Sequence, residues 1–179
     1  MSEDVPGLTI PVSDNDHVQG PADAPVTLVE YGDYECPYCG MAAPIVKRVQ
    51  EQMGDRLRFV FRNFPIATSH PHARAAAEAA EAAGGQGKFW EMHDQLYRHQ
   101  HALEDADLVR YATRIGLNVE QFEQDLANHT YAQRVRDDFM GGVRSGVSGT
   151  PGFFINGELY QDSWDEGPLL DALESAAQG

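Results

Sequence analysis

The stretch EYGDYECPYCGMAAP, residues 30–44, contains both cysteines of the 179-residue chain, Cys36 and Cys39. Two thiols this close can grip a metal, close a small staple or exchange electrons. A structural zinc takes four ligands, usually two CxxC pairs or one such pair with two histidines. No second cysteine pair exists, and the histidines are His17, His70, His72, His93, His99, His101 and His129. His70/His72 and His99/His101 form suggestive pairs, but both fall where the pattern is helical, and solvated or capping imidazoles are the simpler reading. A disulfide closing so short a loop would restrain the unfolded chain little. Electron exchange is the chemistry the spacing favours over the other two.

An i,i+3 pair fits the first turn of a helix. Cys36 would then lie at the helix N-terminus, where backbone N–H groups and the macrodipole favour an anion. That makes Cys36 the attacking thiolate. Pro37 suits the first helical position, where its missing N–H costs nothing. Cys39, one turn in and less exposed, would resolve the mixed disulfide that Cys36 forms.

Three other residues bear on this chemistry. Glu30 is an acid inside the apolar run VTLVEYG and shares strand parity with Val26 and Leu28, so it is expected to face buried surface. A buried carboxylate near Cys39 could take its proton during exchange; an exposed strand position is the alternative. Pro44 falls inside the helix that follows the cysteines, a costly place for proline. In SGTPGFF, Thr150-Pro151 directly precedes a strand. A cis bond there would turn the backbone sharply and expose its hydrogen-bonding groups, whereas a trans bond would make an ordinary turn.

The elements that must position these residues are readable from periodicity. PVTLVEYGD, 25–33, is a strand that runs directly into the cysteine stretch. Met41, Ile45, Val46, Val49 and Met53 recur at helical spacing, and Gly54-Asp55 ends that helix. LRFVFRNFP, 57–65, reads as a second strand, with Leu57, Phe59 and Phe61 alternating against Arg58, Val60 and Arg62. Residues 66–146 hold about five helical segments and almost nothing strand-like, beginning with the alanine-rich HARAAAEAAEAA. GTPGFFINGELYQ reads as a hairpin turning at Asn156-Gly157, and DEGPLLDALESAA as a closing helix. GLTIPV could add a short edge strand near the start. The outline is βαβ, a helical insertion, then ββα.

Composition narrows the partners. The net charge is −15 and the pI about 4.6, a balance that repels phosphate backbones and anionic lipid, so neither nucleic acid nor membrane insertion is expected. Solubility is the plain reason for such acidity. No 18-residue apolar window occurs, and the first twenty residues lack the basic and apolar regions of a secretory signal. This reads as a cytoplasmic chain if Met1 is the native start, and as a periplasmic or otherwise extracytoplasmic one if a signal segment was trimmed.

Taken together, EYGDYECPYC at 30–39, Pro44 and GTPGFFING at 149–157 resemble the thioredoxin superfamily, and within it the DsbA-like thiol oxidoreductases. The resemblance covers nearly the whole chain. It implies an α/β thioredoxin fold with an all-helical insertion between the second core strand and the cis-proline loop. Residues 1–65 and 147–179 would form the thioredoxin-like domain, and 66–146 the inserted subdomain. Glu30 matches the family's buried acid and Pro44 its helix-kinking proline. Thr150 and Pro151 match the loop that pairs with substrate backbone, and Pro37 and Tyr38 would also meet substrate.

The activity implied is dithiol–disulfide exchange with protein or peptide thiols and a separate redox partner, by a monomer that needs no cofactor and no metal. Tyr38 stands where the strong periplasmic oxidant has His, and Asp33 and Glu35 add negative charge that should oppose a Cys36 thiolate. Two other readings remain. One is a glutathione-dependent transferase or isomerase acting on small molecules, which would not need Cys39. The other is a peptide-binding, chaperone-like module with Phe89, Trp90, Phe122 and Phe139 along an apolar groove, although aromatics at helical spacing are more often core.

Overall fold

The structure is a computed structural model that describes residues 7–179. The first six residues of the expected 1–65 segment, and of the stretch read for a leader, lie outside the described residues. The elements are β1 (His17–Gln19), β2 (Val26–Gly32), α1 (Pro37–Met53), a 3-10 turn (Gly54–Arg56), β3 (Leu57–Asn63), α2 (Ala73–Gly85), α3 (Phe89–Arg98), α4 (Asp105–Arg114), α5 (Val119–Ala127), α6 (Ala132–Arg144), β4 (Gly152–Ile155), β5 (Glu158–Tyr160) and α7 (Glu166–Gln178). The chain forms two compact units. Of the described residues, one comprises those up to Gly32, with Met41–Arg62 and Met140–Gly179; the other comprises Asp33–Gly40 and Asn63–Phe139.

The first unit is built on a sheet of order β1-β3-β2-β4-β5. β2 pairs antiparallel with β4, with Glu30 opposite Phe153 and Tyr31 opposite Gly152. β4 turns into β5 through Asn156 and Gly157, both at positive φ, as a two-residue hairpin of this composition requires. α7 packs on β2, and every residue of β2 is buried.

Two readings of this unit need correction. GLTIPV forms no strand among its described residues; it contributes a single bridge from Gly7 to Glu158. The edge strand is instead His17–Gln19, which pairs with Phe59–Phe61 of β3. The alternation expected in β3 is also absent, because Val60 and Arg62 are as buried as their neighbours. Arg62 can be buried because its guanidinium is saturated. It donates to both carboxylate oxygens of Asp16 at 2.8 and 3.0 Å, to the Tyr31 hydroxyl at 2.9 Å and to the Ile10 and Pro11 carbonyls. A buried cation is tolerated when its donors are met in this way.

The second unit is helical. α2 packs against α3, α4 and α5, and seven of its alanines are buried; small side chains on several faces let its neighbours approach closely. The expected faces of α3, α4 and α5 bury Phe89, Met92, Leu96, Leu108, Tyr111 and Phe122. α4 starts with a reciprocal box between Glu104 and Asp107, and α5 with the Asn118 side chain accepting the Gln121 N–H at 3.0 Å, both of which satisfy otherwise orphaned donors.

A polar group is also enclosed in this unit. Asn63 donates to Glu81 and, through its main-chain and side-chain nitrogens, to Asp138, while Arg134 pairs with Glu81 at 2.6 Å. Burial, followed by the Glu81 charge, pushes the Asp138 carboxyl up to about 6 against the opposing Asn63 bonds and Arg134 charge.

Candidate active site

β2 delivers the chain, fully buried, to a turn at residues 33–36. The Asp33 carbonyl accepts the Cys36 N–H at 3.1 Å, and the Asp33 carboxylate accepts the Glu35 N–H at 2.8 Å. α1 then starts at Pro37, which places Cys36 at its N-cap position, and the Cys36 carbonyl accepts the Gly40 N–H at 3.1 Å. Cys36 is 5% exposed and Cys39 is fully enclosed. Pro37 and Tyr38 between them face outward, Tyr38 at 62% exposure. A thiol at a helix N-terminus sits beside undirected N–H groups and the positive end of the dipole, the setting that favours thiolate.

The turn is held by residues far along the chain. The Gln100 side-chain nitrogen donates to the Tyr34 carbonyl at 3.0 Å and to the Cys36 carbonyl at 2.8 Å. Gly40 makes room for it, since a Cβ there would fall 2.1 Å from the Gln100 Oε1. The Tyr34 hydroxyl bonds the buried His93 ring at 2.9 Å within a cluster that includes Tyr97, Trp90 and Phe89.

The Asp33 carboxylate is fully enclosed and also accepts the Ile66 N–H at 2.9 Å and bonds His70 Nδ1 at 2.8 Å. Glu35 accepts the His72 N–H at 3.0 Å. The two acids expected to bear on Cys36 as bare charges are thus engaged by the segment 66–72. Burial works against a charged His70, but the Asp33 bond and charge, aided by Cys36 and Glu35, outweigh it and raise the imidazole above its ordinary value. The sequence reads His70 as solvated or capping; its side chain is instead half-buried and bonded to Asp33.

The other expected site residues belong to the sheet unit. Glu30 is 2% exposed in the middle of β2. Thr150-Pro151 is cis and immediately precedes β4, whose Gly152 lies opposite Tyr31 near the C-terminal end of β2. Pro44 lies inside α1, which continues through it to Met53. Met41, expected on the buried face of α1, is exposed, and Ala42 takes its place in the core. Phe89 and Phe122, two of the four aromatics expected along an apolar groove, are buried. Among the described residues no group of three or more His, Cys, Asp or Glu could hold a metal ion, and no helix is long and apolar enough to cross a membrane.

A thioredoxin-like fold carrying a CxxC pair at the start of a helix, with five helices between its second core strand and a cis-proline loop, defines the DsbA-like class of thiol-disulfide oxidoreductases. A family model described as Thioredoxin matches residues 12–175, and the chain belongs to that family. Oxidised BdbD from Bacillus subtilis superposes with a TM-score of 0.83 at 26% identity, over 98% of each chain. A thioredoxin-like oxidoreductase from Silicibacter pomeroyi does so at 0.82 and 29% identity, over 93% of this chain and 95% of the other. By sequence, a protein named Na(+)/H(+) antiporter NhaA 1 from Salinispora arenicola is 48% identical over 180 residues, which is 100% of this chain and 28% of that protein. The chain therefore spans little more than a quarter of the length of that curated relative.

Proposed function

We propose that the chain exchanges disulfides with protein or peptide substrates through Cys36 and Cys39. The observation that carries this reading is Cys36 at the N-cap of α1 with Cys39 enclosed one turn later, in a chain of the thioredoxin family. The Cys36 thiolate attacks one sulfur of a substrate disulfide, and the other sulfur leaves as a thiol after taking a proton. Cys39, losing its proton, then attacks the Cys36 sulfur. The second substrate thiol departs, and two electrons have passed from the pair to the substrate. The reverse sequence oxidises a substrate dithiol.

In this proposal Glu30 assists proton transfer at Cys39. Thr150 and Pro151 dock an extended substrate chain, with Pro37 and Tyr38 forming the outer contact. The exposure of Tyr38 and of Met41, three residues further along α1, supports contact with an apolar peptide side chain. In this reading 1–65 with 147–179 make up the thioredoxin-like domain and 66–146 the insertion. Cys36→Ser is expected to abolish exchange with an oxidised peptide, and retained full activity removes the reading. Cys39→Ser is expected to trap the mixed disulfide; unimpaired turnover would favour a one-thiol, glutathione-dependent enzyme instead.

The match of the whole chain within proteins named as antiporters supports a second layer, in which this fold works as a module attached to, or beside, a membrane protein. Fractionating cells that express the complete native gene product checks it, and recovery entirely outside the membrane fraction removes it.

A further inference from the structure

His70 lies outside the motif that defines the pair, yet it is tied to the same turn. Asp33 accepts the Cys36 N–H with its main-chain oxygen and bonds His70 Nδ1 with its carboxylate, so one residue links the imidazole to the thiol's own backbone. The link is not a chance contact of a mobile side chain. Ile66 N–H also reaches Asp33, His72 N–H reaches Glu35, and the segment folds on itself through Ser69 and His70 N–H to the Ile66 carbonyl. Residues 33 and 36 close a four-residue turn, which keeps their Cα atoms within about 7 Å.

The charged groups that act on His70 at this turn are Asp33, Glu35 and Cys36 when ionised; the neighbouring His72 contributes its main-chain N–H to Glu35. Without His70, the enclosed Asp33 carboxylate and the half-buried Glu35 would place negative charge beside the thiol, and like charge opposes ionisation. The intervening dipeptide, Pro37-Tyr38, brings no cation.

We propose that His70 is the charge partner of the Cys36 thiolate: Asp33 holds the imidazolium against the CxxC turn, where it offsets the two carboxylates and favours the ionised sulfur. The thiol proton leaves to water and His70 keeps its own, so no proton is passed between them. The interaction is mutual, since a charge on Cys36 also favours the imidazolium, as coupled sites must. His70 is thus a positioning residue that acts through Cys36. This inference rests on the proposed role of Cys36 as the attacking thiol.

The test uses the full chain in a Cys39→Ala background, so that Cys36 is the only thiol. Its ionisation is followed by thiolate absorbance and by the rate of alkylation across pH. His70→Gln is expected to raise the Cys36 midpoint by about one pH unit, which lowers alkylation below the midpoint about tenfold. His70→Lys is expected to restore most of that shift, because it returns a cation to Asp33. A midpoint in His70→Gln within about 0.2 unit of the parent overturns the proposal. A shift that His70→Lys does not reverse also overturns it, because the side chain would then matter by shape and not by charge. These readouts do not depend on substrate exchange: failure here leaves the Cys36→Ser test of the function standing, and failure of that test leaves the titration interpretable.

Discussion

At the scale of single residues, the proposed chemistry centres on Cys36 and on the groups proposed to set its charge. Its dipeptide carries Tyr38 and no cation, so the reduction potential is expected to be more negative than the roughly −120 mV of a strong oxidant; equilibration with glutathione buffers measures it, and a value near −270 mV would mark a reductase. Asp138 gives a separate prediction. Its folded carboxyl, held near 6, lies above its unfolded value. Between those values the folded chain binds more protons than the unfolded one, so this group costs stability as pH rises through the window, and the full cost applies above it. Asp138→Asn keeps an acceptor for the Asn63 bonds and removes the charge. It is expected to raise the urea midpoint at pH 7.5 and to bring no gain near pH 4; a loss at pH 7.5 would refute the assignment. The thiols themselves were legible because their spacing is local. His70 and Gln100 were not, because each meets the turn only after folding brings together residues 37 or more positions apart, and no periodicity records such a meeting.

At the scale of elements, the helices were legible where one face had to be buried. Phe89, Met92 and Leu96, or Leu108, Tyr111 and Ala112, repeat at helical spacing and are all enclosed. The Asn156-Gly157 hairpin was equally plain, since both residues take the positive φ the turn needs. β1 was hidden because three residues, His17, Val18 and Gln19, are too few to carry a pattern and form a strand through pairing with β3. β3 misled because alternation presumes one wet face, and Arg62 is instead buried with its full set of partners. α6 runs through Gly141-Gly142, a pair that reads as a weak point; a Cβ at Gly141 would meet the Ile10 side chain at 3.0 Å. The alanine-rich α2 carries the element-scale prediction. Ala80 is fully enclosed, and Ala80→Leu is expected to destabilise the chain by about 1–3 kcal/mol through overpacking, read from the shift in urea midpoint. A neutral result would mean that α2 has slack against its neighbours.

At the scale of the whole molecule, the charge of −15 acts on encounter more than on fold. Opposite charge speeds diffusional approach and salt screens it. Exchange with a basic oxidised peptide is expected to outpace exchange with an acidic one of the same length at low ionic strength, and the gap should close as salt is added. Stopped-flow rates at two salt concentrations check this; equal rates at low salt would show that the charge lies too far from Cys36 to steer substrate. Of the residues proposed to act, Cys36 and Cys39 belong to the helical unit, while Glu30, Thr150 and Pro151 belong to the sheet unit. The sequence does not reveal this division: the thiols follow β2 at once, and the bonds that residues 33–36 make to Ile66, His70, His72 and Gln100 join positions far apart in the chain.

The space above Gly40 has a consequence for redesign. Gln100 uses that space to serve two carbonyls of the turn at once, so positions 40 and 100 behave as one volume shared between two residues. A larger residue at 40 must evict the amide, and the Tyr34 and Cys36 carbonyls then need new donors. Swaps of the Pro37-Tyr38 dipeptide can therefore be grafted freely only while the residue after Cys39 stays without a side chain. Any graft that enlarges it should be paired with a shorter residue at 100, and its success judged by whether the turn keeps its shape and not by the identity of the dipeptide.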